Sequence, residues 1–264
     1  MAPSLLLAGC IFFPLLYTLV RKFLTTCFGH RLKPGDIFLI SEKCLGSTQA
    51  CLSFAVGAVI VTSVNDIMED RHWLTNAYAW FAVPYFLYDI WAMYYTFIYM
   101  QDDTFHSLPV KDRMLRFARK SVLLLIHHTV LPFIIFPIII FYRRNLGDFF
   151  VGTFYMIEMT IPFIAAREVL VQLKLKDTPY YIVAGLLMVS SFFVTRILVF
   201  PYLYWRYSSH AGIPLHHVFT SIPIKCNLGC LTIALPQFYW FGLMVRGTVR
   251  VLYKMYTRSS SKTA

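Results

Sequence analysis

Charge is what this sequence has least of. Charged residues fill 14% of its 264 positions, and only 13 of them are Asp or Glu. Soluble domains carry about 25% charged residues, so the surface of a water-soluble protein of this length is missing. The acids are outnumbered by 24 Lys and Arg, for a net charge of +11. On a soluble chain that excess would suggest nucleic acid. Here the basic residues flank apolar runs, which is the pattern of membrane orientation, and no nucleic-acid partner is expected. Six cysteines (Cys10, Cys27, Cys44, Cys51, Cys226 and Cys230) make no C-x-x-C pair. That removes the usual redox and zinc-ribbon motifs, and most of the six read as small core residues. There is no N-x-S/T sequon, Gly/Ser linker, internal repeat or low-complexity block, so one domain is expected.

What replaces the missing charge is apolar and aromatic. Hydrophobic residues make up 58% of the chain, with 24 Phe, 17 Tyr and 5 Trp, and the mean hydropathy is +0.61. A spanning helix needs about 20 mostly apolar residues. Seven stretches qualify: 4–20, 47–64, 78–99, 121–142, 148–166, 180–205 and 228–246. The fifth is the weakest, because Glu158 interrupts it. Nothing basic precedes the first run, whereas Arg21 and Lys22 follow it, the reverse of a cleaved signal peptide.

The basic residues divide unevenly between the two sets of span ends. One set holds Arg21, Lys22, Arg31, Lys33, Lys43, Lys111, Arg113, Arg116, Arg119, Lys120, Arg167, Lys174, Lys176, Arg246, Arg250, Lys254, Arg258 and Lys262. The other holds only Arg71, Arg143, Arg144, Arg206 and Lys225, and Arg196 lies inside a span. Positive-inside bias then predicts seven spans, a lumenal N-terminus and a cytosolic C-terminus. The expected organisation is a first helix and connection over 1–30, a helical domain over 31–254 and a disordered cytosolic tail over 255–264.

Ionisable groups inside spans are costly and usually face a protein interior or a wet cavity. Asp89, His127 with His128, Glu158 and Arg196 are such groups. From the cytosolic edge, the two histidines lie roughly 10 Å deep, Glu158 about 13 Å, Asp89 roughly 17 Å and Arg196 about 24 Å. Two acids and two histidines thus share a depth on three successive spans. Proline removes the hydrogen bond to the carbonyl four residues back. Pro132 should free the carbonyl of His128, and Pro162 that of Glu158, which points to a polar pocket. A second pair, His216 and His217, falls in a lumenal connection and reads as interfacial. His and carboxylate could bind metal, but no ligand spacing supports a metal site. Arg196 reads as the ion-pair partner of a buried acid.

The order of five segments resembles the TLC-domain family, which includes the ceramide synthases. They are "VPYFLYDIWAMY" (83–94), the "HH" of the fourth span, "GDFFVGTFYMIEMTIPF" (147–163), "RILVFPYLYW" (196–205) and "PQFYWFG" (236–242). The resemblance implies an all-α polytopic membrane protein: a six-helix barrel around a central cavity, preceded by one extra helix. It also implies endoplasmic reticulum or Golgi membranes and acyl transfer from acyl-CoA to a sphingoid base, with no bound cofactor. Ceramide synthases read HHxxT, and the position after "HHTV" here is Leu131. They carry an HDxxD pair on the next span. Here Tyr155 stands at the first acidic position and Glu158 at the second.

Amide formation from a thioester needs a base for the amine proton or a nucleophile to accept the acyl group, and imidazole can do both. His127 and His128 lie about 100° apart on a helix, so they serve different tasks. One is expected to react and the other to donate to the carbonyl oxygen, with Glu158 or Asp89 orienting the reacting ring. Lys111, Arg113, Arg116, Arg119 and Lys120, in "KDRMLRFARK", would attract the phosphates of acyl-CoA, although orientation alone also explains them. Expected partners are sphingoid base, ceramide, acyl-CoA, and homo- or hetero-oligomers with other TLC proteins. The alternative is a non-enzymatic lipid-binding regulator or sensor of sphingolipid composition. A transporter is disfavoured by the lack of repeats and Gly-broken helices.

Overall fold

The fold is described from a computed structural model covering residues 2–263, with side chains through Tyr253. The expected disordered tail, 255–264, lies outside the residues whose side chains are described. No strand occurs among the described residues. Ten helical elements follow in order: α1 (Ala2–Phe28), α2 (Pro34–Ser63), α3 (Trp73–Tyr99), α4 (Asp103–His106), α5 (Val110–Lys120), α6 (Val122–Tyr142), α7 (Asp148–Gln172), α8 (Pro179–Ala211), α9 (Leu215–Ser221) and α10 (Ile224–Tyr253). In lipid every backbone N–H and C=O must be satisfied within the protein, which a helix does by itself.

Six of these helices, α1, α2, α6, α7, α8 and α10, are long and apolar enough to cross a membrane. The seventh long helix is α3, which equals α1 at 27 residues. Its Tyr and Trp residues lower its hydropathy, because a polar atom on an aromatic ring counts against it although the ring itself buries well. α3 packs against both α1 and α2, which places it inside the bundle.

The helices form an arc in the order α6, α3, α2, α7, α8, α10, and α1 is applied to the outside of α3 and α2. α6 and α10 end the arc and make no extensive contact with each other. Two apolar clusters hold it. Phe13, Tyr17, Phe38, Leu45, Tyr85 and Ala92 tie α1, α2 and α3 together. Ile60, Val64, Phe149, Val199 and Phe200 tie α2, α7 and α8 nearer the opposite end. A polar band lies between them: Gln49 and Tyr78 hydrogen-bond each other, and Ser53 donates to the Tyr155 carbonyl at 2.9 Å.

α2 begins at Pro34, well before the apolar run starts at 47. The reason is local. Pro34 occupies the first turn, where a missing N–H costs nothing, and Asp36 accepts from the Lys33 N–H at 3.0 Å. The end of the bundle where α2 starts and α7 finishes is fastened by Gln172, which donates to Asp36 at 2.6 Å. It carries most of the basic residues and is called the basic end below.

The other end is latched by Arg143. Its guanidinium donates to the carbonyls of Ile139 (2.7 Å) and Leu146 (2.9 Å), to Asn76 (2.7 Å) and to the buried Asp148. Asp148 also accepts from the His72 N–H at 2.7 Å, so one ion pair joins the ends of α6, α7 and α3. The α6–α7 turn places Arg144, Asn145 and Gly147 at positive φ.

The cysteines correct the expectation that most are core residues: five of the six are exposed and Cys230 is half-buried. In lipid the outer face of a helix is as apolar as its core, so hydrophobicity does not separate the two.

Where α2 crosses α7, backbones touch. A Cβ on Gly57 would stand 2.4 Å from the Gly152 carbonyl oxygen, and one on Gly152 would meet Ile60 at 2.8 Å. Gly242 on α10 has nothing within 4 Å of such an atom. Gly152→Leu is therefore expected to separate α2 from α7 at a cost of about 1–3 kcal/mol or more, read as a lower unfolding temperature in nanodiscs, whereas Gly242→Leu leaves it unchanged.

Candidate active site

α6 presents the histidine pair. It is regular from Val122 to Val130, then widens into π-turns over Leu131–Ile135 and Ile138–Tyr142, beside Pro132 and Pro137. Prolines deny the helix its normal hydrogen bonds, and a π-turn re-registers the chain around them. His128 is buried against the rings of Tyr85 and Phe86. Its Nδ1 lies 3.4 Å from the Phe86 carbonyl oxygen and 3.6 Å from Asp89 Oδ2. Both neighbours are acceptors, so Nδ1 carries the proton and the lone pair sits on Nε2. His127 is exposed, with its ring centroid 5.5 Å from that of His128. Glu158 and Arg196 are near enough for their charges to act on it.

The second acid sits in another pair. Glu158 Oε2 lies 3.6 Å from Arg196 Nη2, joining α7 to α8. The backbone explains how. Before Pro162, α7 tightens into a 3₁₀ turn over Ile157–Thr160, and the Ile161 N–H bonds the Glu158 carbonyl. This corrects the expectation of an open Glu158 carbonyl: the tighter turn takes it up. Within this turn the Ile157 carbonyl also accepts from Arg196 Nε at 3.1 Å. Arg196 itself stands in a π-turn, Phe193–Ile197, four residues before Pro201. It also reaches Gln237 of α10 at 3.4 Å and lies over the Phe192 ring. It is buried.

The four acidic and histidine candidates thus fall into two adjoining groups. Asp89 and His128 pair on the α3–α6 side, and Glu158 and Arg196 pair on the α7–α8 side, with His127 between them. Tyr85 bridges the groups: its hydroxyl feels Asp89, Glu158 and Glu42 together. Tyr155, at the position where ceramide synthases carry an acid, instead donates from its hydroxyl to the Thr75 carbonyl at 2.9 Å. It is a link between α7 and α3.

Residues that the sequence reading passed over complete the site. Glu42 is buried on α2, and its charge and that of Lys43 act on Asp89. Lys43 bonds Glu42 at 2.9 Å and Glu168 at 2.8 Å. The signal was present: "KPGD" (33–36) marks a helix start that carries Glu42 inside a span. Gln237 had no such mark.

At the basic end, Lys111, Arg116, Arg119 and Lys120 are exposed on α5, and Arg113 lines a cleft of ≈ 490 Å³ with Tyr94, Tyr95, Tyr99 and His106. Arg116 and Lys120 rest over the rings of Phe105 and Phe97. No three His, Cys, Asp or Glu side chains cluster as a metal would require among the described residues.

Arg196→Met leaves the half-buried Glu158 carboxylate without its partner and takes one donor from the Ile157 carbonyl. A loss of about 1–3 kcal/mol is expected, read as a lower unfolding temperature in nanodiscs. Adding Glu158→Met to it should restore part of that loss, because the stranded charge is gone.

No solved structure matches the chain. The TLC-domain profile matches residues 39–246, from within α2 to within α10, and so takes in both groups of the site but not α1. A match over most of the chain, with the histidine pair and both ion pairs inside it, makes this protein a member of the TLC-domain family.

Proposed function

We propose that the protein is an N-acyltransferase of the endoplasmic reticulum or Golgi membrane, joining the acyl group of acyl-CoA to the amine of a sphingoid base. Within the family the fuller resemblance, which includes "RHWL" (71–74), is to the TLC domain-containing protein 3 branch, its B subtype. The observation that carries the reading is the His128–Asp89 pair. A buried carboxylate beside Nδ1 fixes the tautomer and stabilises the ring when Nε2 takes a proton, the division of labour of a Ser-His-Asp triad. The 3.6 Å separation is an ion-pair distance that shortens as charge develops on the ring.

In this reading His128 Nε2 accepts a proton from the attacking amine, the C–S bond breaks, and the proton passes to the departing thiolate. His127, exposed beside it, donates to the thioester oxygen as that oxygen becomes an oxyanion. Glu158, already paired with Arg196, holds the far side of the site. Lys111, Arg113, Arg116, Arg119 and Lys120 receive the CoA phosphates at the basic end, and the adjoining cleft is within the size range of small-molecule sites. Partners are sphingoid base, ceramide, acyl-CoA and other TLC-domain chains.

A second reading, a lipid-binding regulator or sensor without turnover, is favoured by one observation. The position where ceramide synthases place an acid is spent on the Tyr155–Thr75 link.

Two measurements test the proposal. With acyl-CoA and sphinganine, product followed by mass spectrometry should vanish in His128→Ala and His127→Ala, and fall by about 10²–10⁴-fold in Asp89→Asn. Glu158→Gln should lower the rate without abolishing it. Alanine variants that form amide at the wild-type rate would place the chemistry elsewhere. For orientation, a tag following Ala264 should be cut by protease added outside sealed microsomes. A protected tag would reverse the proposed cytosolic C-terminus.

A further inference from the structure

An ammonium substrate sets a requirement that the histidine pair alone does not meet. Sphingoid bases are protonated at neutral pH, and the balanced reaction is R–NH₃⁺ plus R′CO–SCoA giving R′CO–NHR, CoA–SH and H⁺. One proton travels from nitrogen to sulfur through His128. The other, shed before attack, leaves the membrane interior once per turnover.

We propose that Glu42 is a third acid of the site, and that it pairs with Asp89 to accept this proton and pass it to the basic end beside Lys43 and Glu168. The inference rests on the acyl-transfer reading above. Asp89 is buried beside the Tyr85 hydroxyl, and its Oδ1 has no hydrogen bond of good geometry among the described residues, which leaves an oxygen able to take a proton. Glu42, on α2, is buried as well, on the stretch between Phe38 and Leu45 that packs against Tyr85 and Ala92 on either side of Asp89. Two carboxylates held together away from water repel when both are charged, and one shared proton relieves that. Lys43 fixes Glu42 through Oε1, at 2.9 Å, which leaves the other oxygen for exchange.

Depth orders the groups. Counted from the helix ends at about 1.5 Å per residue, Asp89 lies deepest, Glu42 nearer the basic end and Glu168 within the last turn and a half of α7. Exposure follows the same order, and the Glu168 side chain is 49% exposed. The other groups facing Asp89 are Tyr17 from α1, Tyr85 and Tyr88 on α3 itself, and His128 from α6. None of these leads to the surface by successive acids.

Full-length protein in nanodiscs, with acyl-CoA and sphinganine, provides the test. In Glu42→Gln, kcat should fall at least tenfold at neutral pH while KM for both substrates stays within twofold. Its pH–rate profile should lose one ionisation that the wild type shows. Glu42→Asp should restore most of the rate, and small weak acids such as formate should rescue Glu42→Gln but not His128→Ala. Wild-type rate and profile in Glu42→Gln would overturn the relay and leave acyl transfer standing. So would a loss of rate with no change in profile and no rescue, which marks Glu42 as structural. No amide from the wild-type protein would overturn acyl transfer and the relay with it.

Discussion

Within the membrane, every backbone polar group and every charge must find its partner inside the protein, and the rest of this structure follows from that constraint. Proline shows it most directly. Each proline inside a span deletes a donor, and at four of them the chain answers by changing its turn, whereas Pro14, Pro84 and Pro236 sit in unbroken α-helix. The turn tightens before Pro162 and widens beside Pro132 and Pro137 and before Pro201. In the tightened turn before Pro162 the Ile157 carbonyl also accepts from Arg196. The same guanidinium neutralises Glu158 and reaches Gln237, so one local defect recruits three helices around a charged centre.

A regular helix would place consecutive residues about 100° apart and leave the histidine pair looking redundant. In the bundle that angle separates two tasks. His128 turns into the α3 side, where Asp89 and the Phe86 carbonyl fix its tautomer. His127 is exposed, near enough for the Glu158 and Arg196 charges to act on it. The proposed acyl transfer would use both a base of fixed orientation and a donor with access to substrate, and adjacent positions on one helix could provide them.

Much of this was legible beforehand. Apolar run length gave the spans, and Asp89, His127, His128, Glu158 and Arg196 stood out because lipid tolerates so few such groups. Their depths could be counted at a fixed rise per residue. Other features were misread or passed over, and the Glu158 carbonyl expected to be open is taken up by the Ile161 N–H. The cysteines looked like core because hydrophobicity does not distinguish a core face from a lipid face. Glu42 was passed over because the apolar run begins after it, although "KPGD" starts the helix thirteen residues earlier.

What the sequence determined by itself was the helical class, the family resemblance and the list of expensive residues, since each depends on composition, order or local spacing. What only the tertiary structure decided was pairing: His128 with Asp89, Glu158 with Arg196, and Glu42 brought beside Asp89. Depth is a property of one helix, but contact depends on how each helix is rotated about its axis. Rotation is set by packing between helices distant in sequence, such as the Gly57–Gly152 crossing that brings α2 against α7.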